Sequence, residues 1–173
     1  MQGKFRVVGV GGTFDELHKG HRVLLKKAFE LGDFVLIGLC TDEFAEKLRK
    51  NHEIASYEDR LNELKHFLES QGLLEKARII PLSDAYGPTV TNSQIEALVV
   101  SEETEPVARI INAIRKENGL RPLEVFVIKM VPAENHTPIS STRIRHGEID
   151  REGRLLKKQT AGFLKMTGSS SQI

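Results

Sequence analysis

Val7-Val8-Gly9-Val10-Gly11-Gly12-Thr13-Phe14-Asp15-Glu16-Leu17-His18-Lys19-Gly20-His21 is the stretch whose reading decides the fold. An apolar run from Phe5 to Val10 reads as a strand, and Val23, Leu24, Leu25, Ala28 and Phe29 after His21 recur at helical spacing. Between them Gly11 and Gly12 predict a sharp turn that lets a ligand approach the backbone. The unpaired N–H groups at the start of the following helix and its dipole favour an anion there. His18 and His21 are three residues apart, so on a helix they share a face and flank that anion. Gly20 leaves room for a flat ring against the backbone. Neither G-x-x-x-x-G-K-S/T nor G-x-G-x-x-G is present, so this is not one of the common phosphate loops. No further cluster of Cys, His or carboxylates completes a metal site around the two histidines, and none is predicted.

Downstream, strand and helix patterns alternate. Phe34 to Cys40 is a continuous apolar run, as expected of a strand covered on both faces. Asp42 to Lys50 reads as a short helix, and Ser56 caps a longer one that Gly72 ends. Arg78 to Leu82, Ile95 to Val100 and Glu124 to Met130 are the remaining strands, with a helix opened by Pro106 and closed at Asn118-Gly119. The predicted class is α/β: a doubly wound five-stranded parallel sheet of Rossmann-like type. Ligands of such sheets lie beyond the carboxyl ends of the strands. Five polar segments follow strand ends: Gly11 to His21, Thr41 to Lys50, Ser83 to Thr89, Ser101 to Glu105 and Asn135 to Arg145. They are expected to converge on one rim. Ser140-Ser141-Thr142 with Arg143 and Arg145 is a second group suited to phosphate oxygens.

With 173 residues the chain has length for one core; residues 1–166 are assigned to one domain and 167–173 to a polar, frayed tail. The 25 basic and 24 acidic residues nearly cancel, which argues against nucleic acid or membrane as partner. The single cysteine, Cys40, lies in an apolar run and reads as a core residue in a reducing compartment. No signal peptide or membrane-spanning run is seen, so a cytoplasmic location is expected. A monomer is preferred, though the sequence leaves the oligomeric state open.

The G-T-F-D segment at Gly12 to Asp15 and the H-x-G-H segment at His18 to His21 resemble the adenylyltransferase superfamily with its T/H-x-G-H motif. Ile139 to Arg145, I-S-S-T-x-I-R, is similar to the C-terminal signature of phosphopantetheine adenylyltransferases. Asp84-Ala85-Tyr86-Gly87-Pro88 and Val99-Val100-Ser101-Glu102-Glu103-Thr104 resemble segments of the archaeal and eukaryotic branch of that family. The resemblance covers Phe5 to Arg145 and implies a nucleotidyltransferase that joins ATP to 4′-phosphopantetheine, releasing pyrophosphate and forming 3′-dephospho-coenzyme A. It implies His18, His21 and Lys47 as catalytic groups, with Lys50 in reserve for Lys47. Gly12, Thr13, Phe14, His21, Ser140, Ser141, Thr142 and Arg145 are implied to bind ATP. For the acceptor the implied residues are Thr13, Lys47, Asp84, Tyr86, Gly87, Ser101 and Glu102. Mg²⁺ is implied as cofactor, carried mainly by the ATP phosphates. Arg60 matches a family position without an assigned role. The bacterial branch has an R-G-x-R segment where this chain has Ser101-Glu102-Glu103-Thr104, so its nucleotide-binding arginines do not carry over. Two other readings stand beside this one: a sibling transferase acting on FMN or on glycerol phosphate with CTP, and a nucleotide-binding module without turnover.

Overall fold

A computed structural model describes residues 3–48 and 53–156. Five strands, β1 (Phe5–Gly12), β2 (Gly32–Cys40), β3 (Ala77–Leu82), β4 (Ala97–Ser101) and β5 (Glu124–Ile128), form one sheet in the order β3-β2-β1-β4-β5. Every pairing is parallel. The crossover helices are α1 (Lys19–Leu31), α3 (Tyr57–Ser70) and α4 (Glu105–Glu117), with shorter α2 (Asp42–Leu48) and α5 (Ser141–Arg145). The order reverses direction at β1 and β4, which opens the crevice where α/β proteins bind ligands. The expected α/β, Rossmann-like sheet is therefore the observed one.

The central strands read as apolar runs because both faces are covered. Val8, Val35, Ile37, Leu39 and Ala97 are fully buried together with Leu25 and Ala28 of α1 and Leu64 and Leu68 of α3. Ile95, Leu98, Ala108, Ile111 and Leu123 make a second buried group, to which α4 contributes. Pro81 sits in β3, an edge strand, where a missing N–H breaks no central ladder. Asn118 and Gly119, the latter with φ +72°, end α4 as expected, and Gly72 with φ +67° follows α3.

Several boundaries differ from the sequence expectation. β1 does not stop at Val10: Gly11 and Gly12 stay in the ladder, opposite Gly38 and Leu39. A Cβ on Gly11 would lie 3.1 Å from Leu82 Cδ1, so that glycine serves close packing rather than a turn. The turn is made instead by Phe14 and Glu16, with φ +50° and +57°. Phe14 tolerates the left-handed backbone because its ring is anchored in the core, 1% exposed. β4 starts at Ala97 rather than Ile95, and β5 ends at Ile128 rather than Met130. The last part of the predicted Asp42–Lys50 helix, with Lys50, and the 167–173 tail lie outside the described residues.

Among the described residues two arginines are almost completely buried, Arg60 and Arg115, each 1% exposed. Arg115 of α4 donates to the carbonyls of Arg121, Thr89 and Asn92 at 2.7, 2.6 and 2.9 Å. It thereby holds the 3₁₀ turn Gly87–Val90 against α4. Burial pushes its guanidinium down from the ordinary value.

Candidate active site

The β1–α1 connection places the two histidines. His18 is the N-cap of α1 rather than a helical residue, and its Nδ1 accepts from the Gly20 N–H at 3.0 Å. His21 Nδ1 accepts from the His18 N–H at 3.2 Å. Two imidazoles thus replace the usual Ser and Glu of a reciprocal cap. Each Nδ1 is thereby engaged with a backbone N–H, which fixes the orientation of both rings. The rings stack with centroids 3.7 Å apart and planes 19° apart, and the Phe14 ring stands 5.4 Å from that of His21. The flat group accommodated by Gly20 is the His18 imidazole itself: a Cβ there would sit 2.9 Å from its Cε1.

The second phosphate-type group meets the first. Ser140 caps α5, its Oγ accepting from the Arg143 N–H at 3.3 Å. Ser141, 2% exposed, donates from Oγ to the Asp15 carbonyl at 2.8 Å. The Asp15 carboxylate, 1% exposed, forms an ion pair with Arg145 and accepts from the Ala55 N–H at 3.3 Å. Arg145 also faces Glu16, and its Nη1 is buried with no hydrogen-bond partner. α5 has only five residues, so its dipole is slight and its hydroxyls are the groups that matter.

A cleft of about 580 Å³ opens between these segments, within the range of small-molecule sites. All five polar segments that follow strand ends contribute to its walls. Of the residues expected to act, Gly12, Thr13, Phe14, His18, His21, Tyr86, Ser101, Ser140, Ser141 and Thr142 line it. Lys47, in the last turn of α2, is exposed, and it is Phe44 and Leu48 of that helix that line the cleft. Asp84 turns inward on its own loop, its Oδ1 accepting from the N–H groups of Tyr86 and Gly87 at 2.9 and 2.8 Å. Glu102 ties the end of β4 to that of β5: its N–H donates to the Ile128 carbonyl at 3.2 Å and its carboxylate accepts from the Met130 N–H at 3.3 Å.

Residue-type reasoning passed over Lys129. It follows β5 and is the only lysine or arginine among the described residues lining the cleft, where Glu103 is the only carboxylate. Its position one residue past a strand's carboxyl end was the available signal. No group of three or more His, Cys, Asp or Glu able to hold a metal occurs among the described residues. Nor, among them, is any helix long and apolar enough to cross a membrane.

A Cytidylyltransferase-like family model matches residues 10–147. Phosphopantetheine adenylyltransferase of Methanothermobacter thermautotrophicus is 48% identical over 158 residues, 91% of this chain and 94% of that protein. The chain belongs to the phosphopantetheine adenylyltransferase family. The phosphopantetheine adenylyltransferase of Pyrococcus abyssi is 45% identical over 90% of this chain and 99% of its own. The fold is also that of a crystal structure of a protein of unknown function from Archaeoglobus fulgidus, with a TM-score of 0.65 and 28% identity over 81% of this chain and all of that one. The matched 10–147 span runs from the end of β1 past α5, so it contains both histidines and the Ser140–Thr142 segment that this family member brings into one cleft.

Proposed function

We propose that the chain transfers the adenylyl group of ATP to 4′-phosphopantetheine, giving 3′-dephospho-coenzyme A and pyrophosphate in coenzyme A biosynthesis. One observation carries this reading. The stacked His18 and His21 and the Ser140–Thr142 hydroxyls wall the same cleft in a chain 48% identical to a protein named for that activity.

The reaction suits the groups available. A phosphate oxygen of the acceptor, already ionised, forms a bond to the α-phosphorus as the bond from that phosphorus to the bridging oxygen breaks. Pyrophosphate leaves with the electron pair, and no proton has to move. Catalysis then rests on alignment and on donors matched to the charge of the five-coordinate transition state. His18 and His21, stacked on each other at the cleft wall, are assigned as such donors. Thr13 with Gly12 and Phe14, next to them in the β1–α1 connection, lines the same cleft. Ser140, Ser141 and Thr142 are assigned to the triphosphate. Arg145 joins them through Nη1, a buried donor left over from its pair with Asp15. Lys129 supplies a fixed positive charge to the same polyanion, and Lys47 reaches the reacting phosphates from α2. Tyr86 and Ser101, which line the cleft, are assigned to the acceptor, and Asp84, Gly87 and Glu102 shape the segments that hold them.

Transferases of this kind work with a divalent ion, and we assign Mg²⁺. The fit is to an ion carried on phosphate oxygens and water rather than one caged by the protein, since Glu103 is the single carboxylate among the described residues that line the cleft, beside hydroxyls. Bound there, the ion neutralises charge on the departing pyrophosphate. ATP and 4′-phosphopantetheine are the proposed substrates, the preferred state a monomer and the location the cytoplasm.

The test is direct. Purified protein supplied with ATP and Mg²⁺ should release pyrophosphate with 4′-phosphopantetheine and not with FMN or glycerol phosphate, and ATP should outperform CTP. Turnover with another acceptor would assign the cleft to a sibling transferase. Nucleotide binding without pyrophosphate release from any acceptor would make it a binding module.

A further inference from the structure

Arg60 lies in the first turn of α3, is 1% exposed and lines no part of the cleft. Its guanidinium makes four hydrogen bonds. Nε donates to the Ala55 carbonyl at 2.9 Å. Nη1 donates to the Thr13 carbonyl at 2.9 Å and the Cys40 carbonyl at 2.8 Å. Nη2 donates to Asp42 Oδ1 at 3.0 Å. Thr13 is the first residue past β1, Cys40 is the last of β2, and Asp42 opens α2, which carries Lys47 five residues on. The same Asp42 Oδ1 accepts from the Tyr57 N–H at 2.8 Å, which joins the starts of α2 and α3.

A core position gains more from an aliphatic side chain than from a charge that must be stripped of water. What a buried guanidinium adds is geometry. Its donors form a rigid planar fork, so three carbonyls and one carboxylate bound to it cannot shift independently. Here those acceptors belong to three segments: the turn after β1 that holds Thr13, the end of β2 with the start of α2, and the residues just before α3. We infer that Arg60 is a positioning residue for adenylyl transfer: it sets the distance between the β1–α1 turn and α2, and so aligns groups that act on the reacting phosphates. This rests on the transferase reading given above.

The experiment compares wild type, Arg60→Lys and Asp42→Ala for pyrophosphate release with ATP and 4′-phosphopantetheine, for ATP affinity by calorimetry, and for melting temperature. Arg60→Lys keeps the charge and loses the fork. Asp42→Ala frees the start of α2 from Arg60 and from the Tyr57 N–H, and since the Asp42 side chain is 55% exposed the variant is expected to fold even if Arg60→Lys does not. Misalignment is felt in the transition state before it is felt in ground-state binding spread over a whole cleft. Both variants should therefore lose about tenfold or more in kcat while the ATP Kd stays within roughly threefold. The Asp42→Ala melting temperature should stay within a few degrees of wild type. Wild-type kcat in Asp42→Ala, or kcat and Kd worsening by the same factor, would overturn the positioning role. A wild-type protein that releases no pyrophosphate would instead overturn the transferase reading on which it stands.

Discussion

The Ser141 hydroxyl donates to the Asp15 main-chain carbonyl at 2.8 Å, joining residues 126 positions apart in the chain. Together with the Asp15–Arg145 ion pair it fastens the serine segment to the histidine loop, so the two walls of the cleft are covalently distant and physically one unit. Removing the hydroxyl leaves a buried carbonyl short of a partner. Ser141→Ala should destabilise the protein by about 1–2 kcal/mol. That corresponds to a melting temperature lower by roughly 2–8 °C for a chain of this size, measurable by scanning calorimetry.

On the proposed adenylyl transfer, His21 is the donor assigned to the charge that develops at the reacting phosphates. His21→Ala should lower kcat by roughly 10²–10³, the range for loss of one donor to a transition-state oxyanion. The ATP Kd should change far less. Steady-state kinetics beside calorimetry separates the two quantities, and an unchanged kcat would remove His21 from the chemistry.

Gly20 gives a test of the stacked pair that leaves both imidazoles in place. A methyl group there would meet His18 Cε1 at 2.9 Å and Nδ1 at 3.0 Å, so the His18 ring must move. Alanine is also the better helix former, which offsets lost packing. Gly20→Ala should therefore lower kcat by about tenfold or more, as expected of a misplaced donor, with little change in melting temperature. Equal losses of stability and activity would point to a purely structural glycine.

Lys129 is the only lysine or arginine among the described residues that line the cleft, and on the proposed function its charge acts on the ATP phosphates. Lys129→Met should weaken ATP by about tenfold and AMP much less, since the missing charge acts on phosphates that AMP lacks. Raising ionic strength should narrow the difference between wild type and variant. Loss of ATP and AMP affinity by the same factor would place Lys129 at the nucleoside instead.

Much of the fold was legible because periodicity reports burial directly. The Phe34–Cys40 run, the Ser56 cap and the Asn118-Gly119 stop all stand where local chemistry put them, and the strand–helix alternation implied a parallel sheet with its ligand at the carboxyl rim. The misreadings came where a residue's partner is remote. Gly11 and Gly12 were read as a turn because a glycine pair commonly makes one, yet Gly11 is required by a leucine on β3. Arg145 is not among them: its type still suggests a phosphate ligand, and its ion pair with Asp15, 130 positions away, is an addition that nothing local announced.

By itself, then, the sequence determined the layer order, the identity of the family and the segments that meet, since these follow from side-chain polarity at fixed spacing and from motifs in order. Only the tertiary structure decided how the atoms of those segments are engaged. It turned both His Nδ1 atoms toward backbone N–H groups, buried Ser141 against Asp15, and enclosed Arg60 among carbonyls from three segments of the chain. Hydrogen-bond partnership depends on distances of a few tenths of an ångström between residues far apart in the chain, and no one-dimensional pattern encodes that.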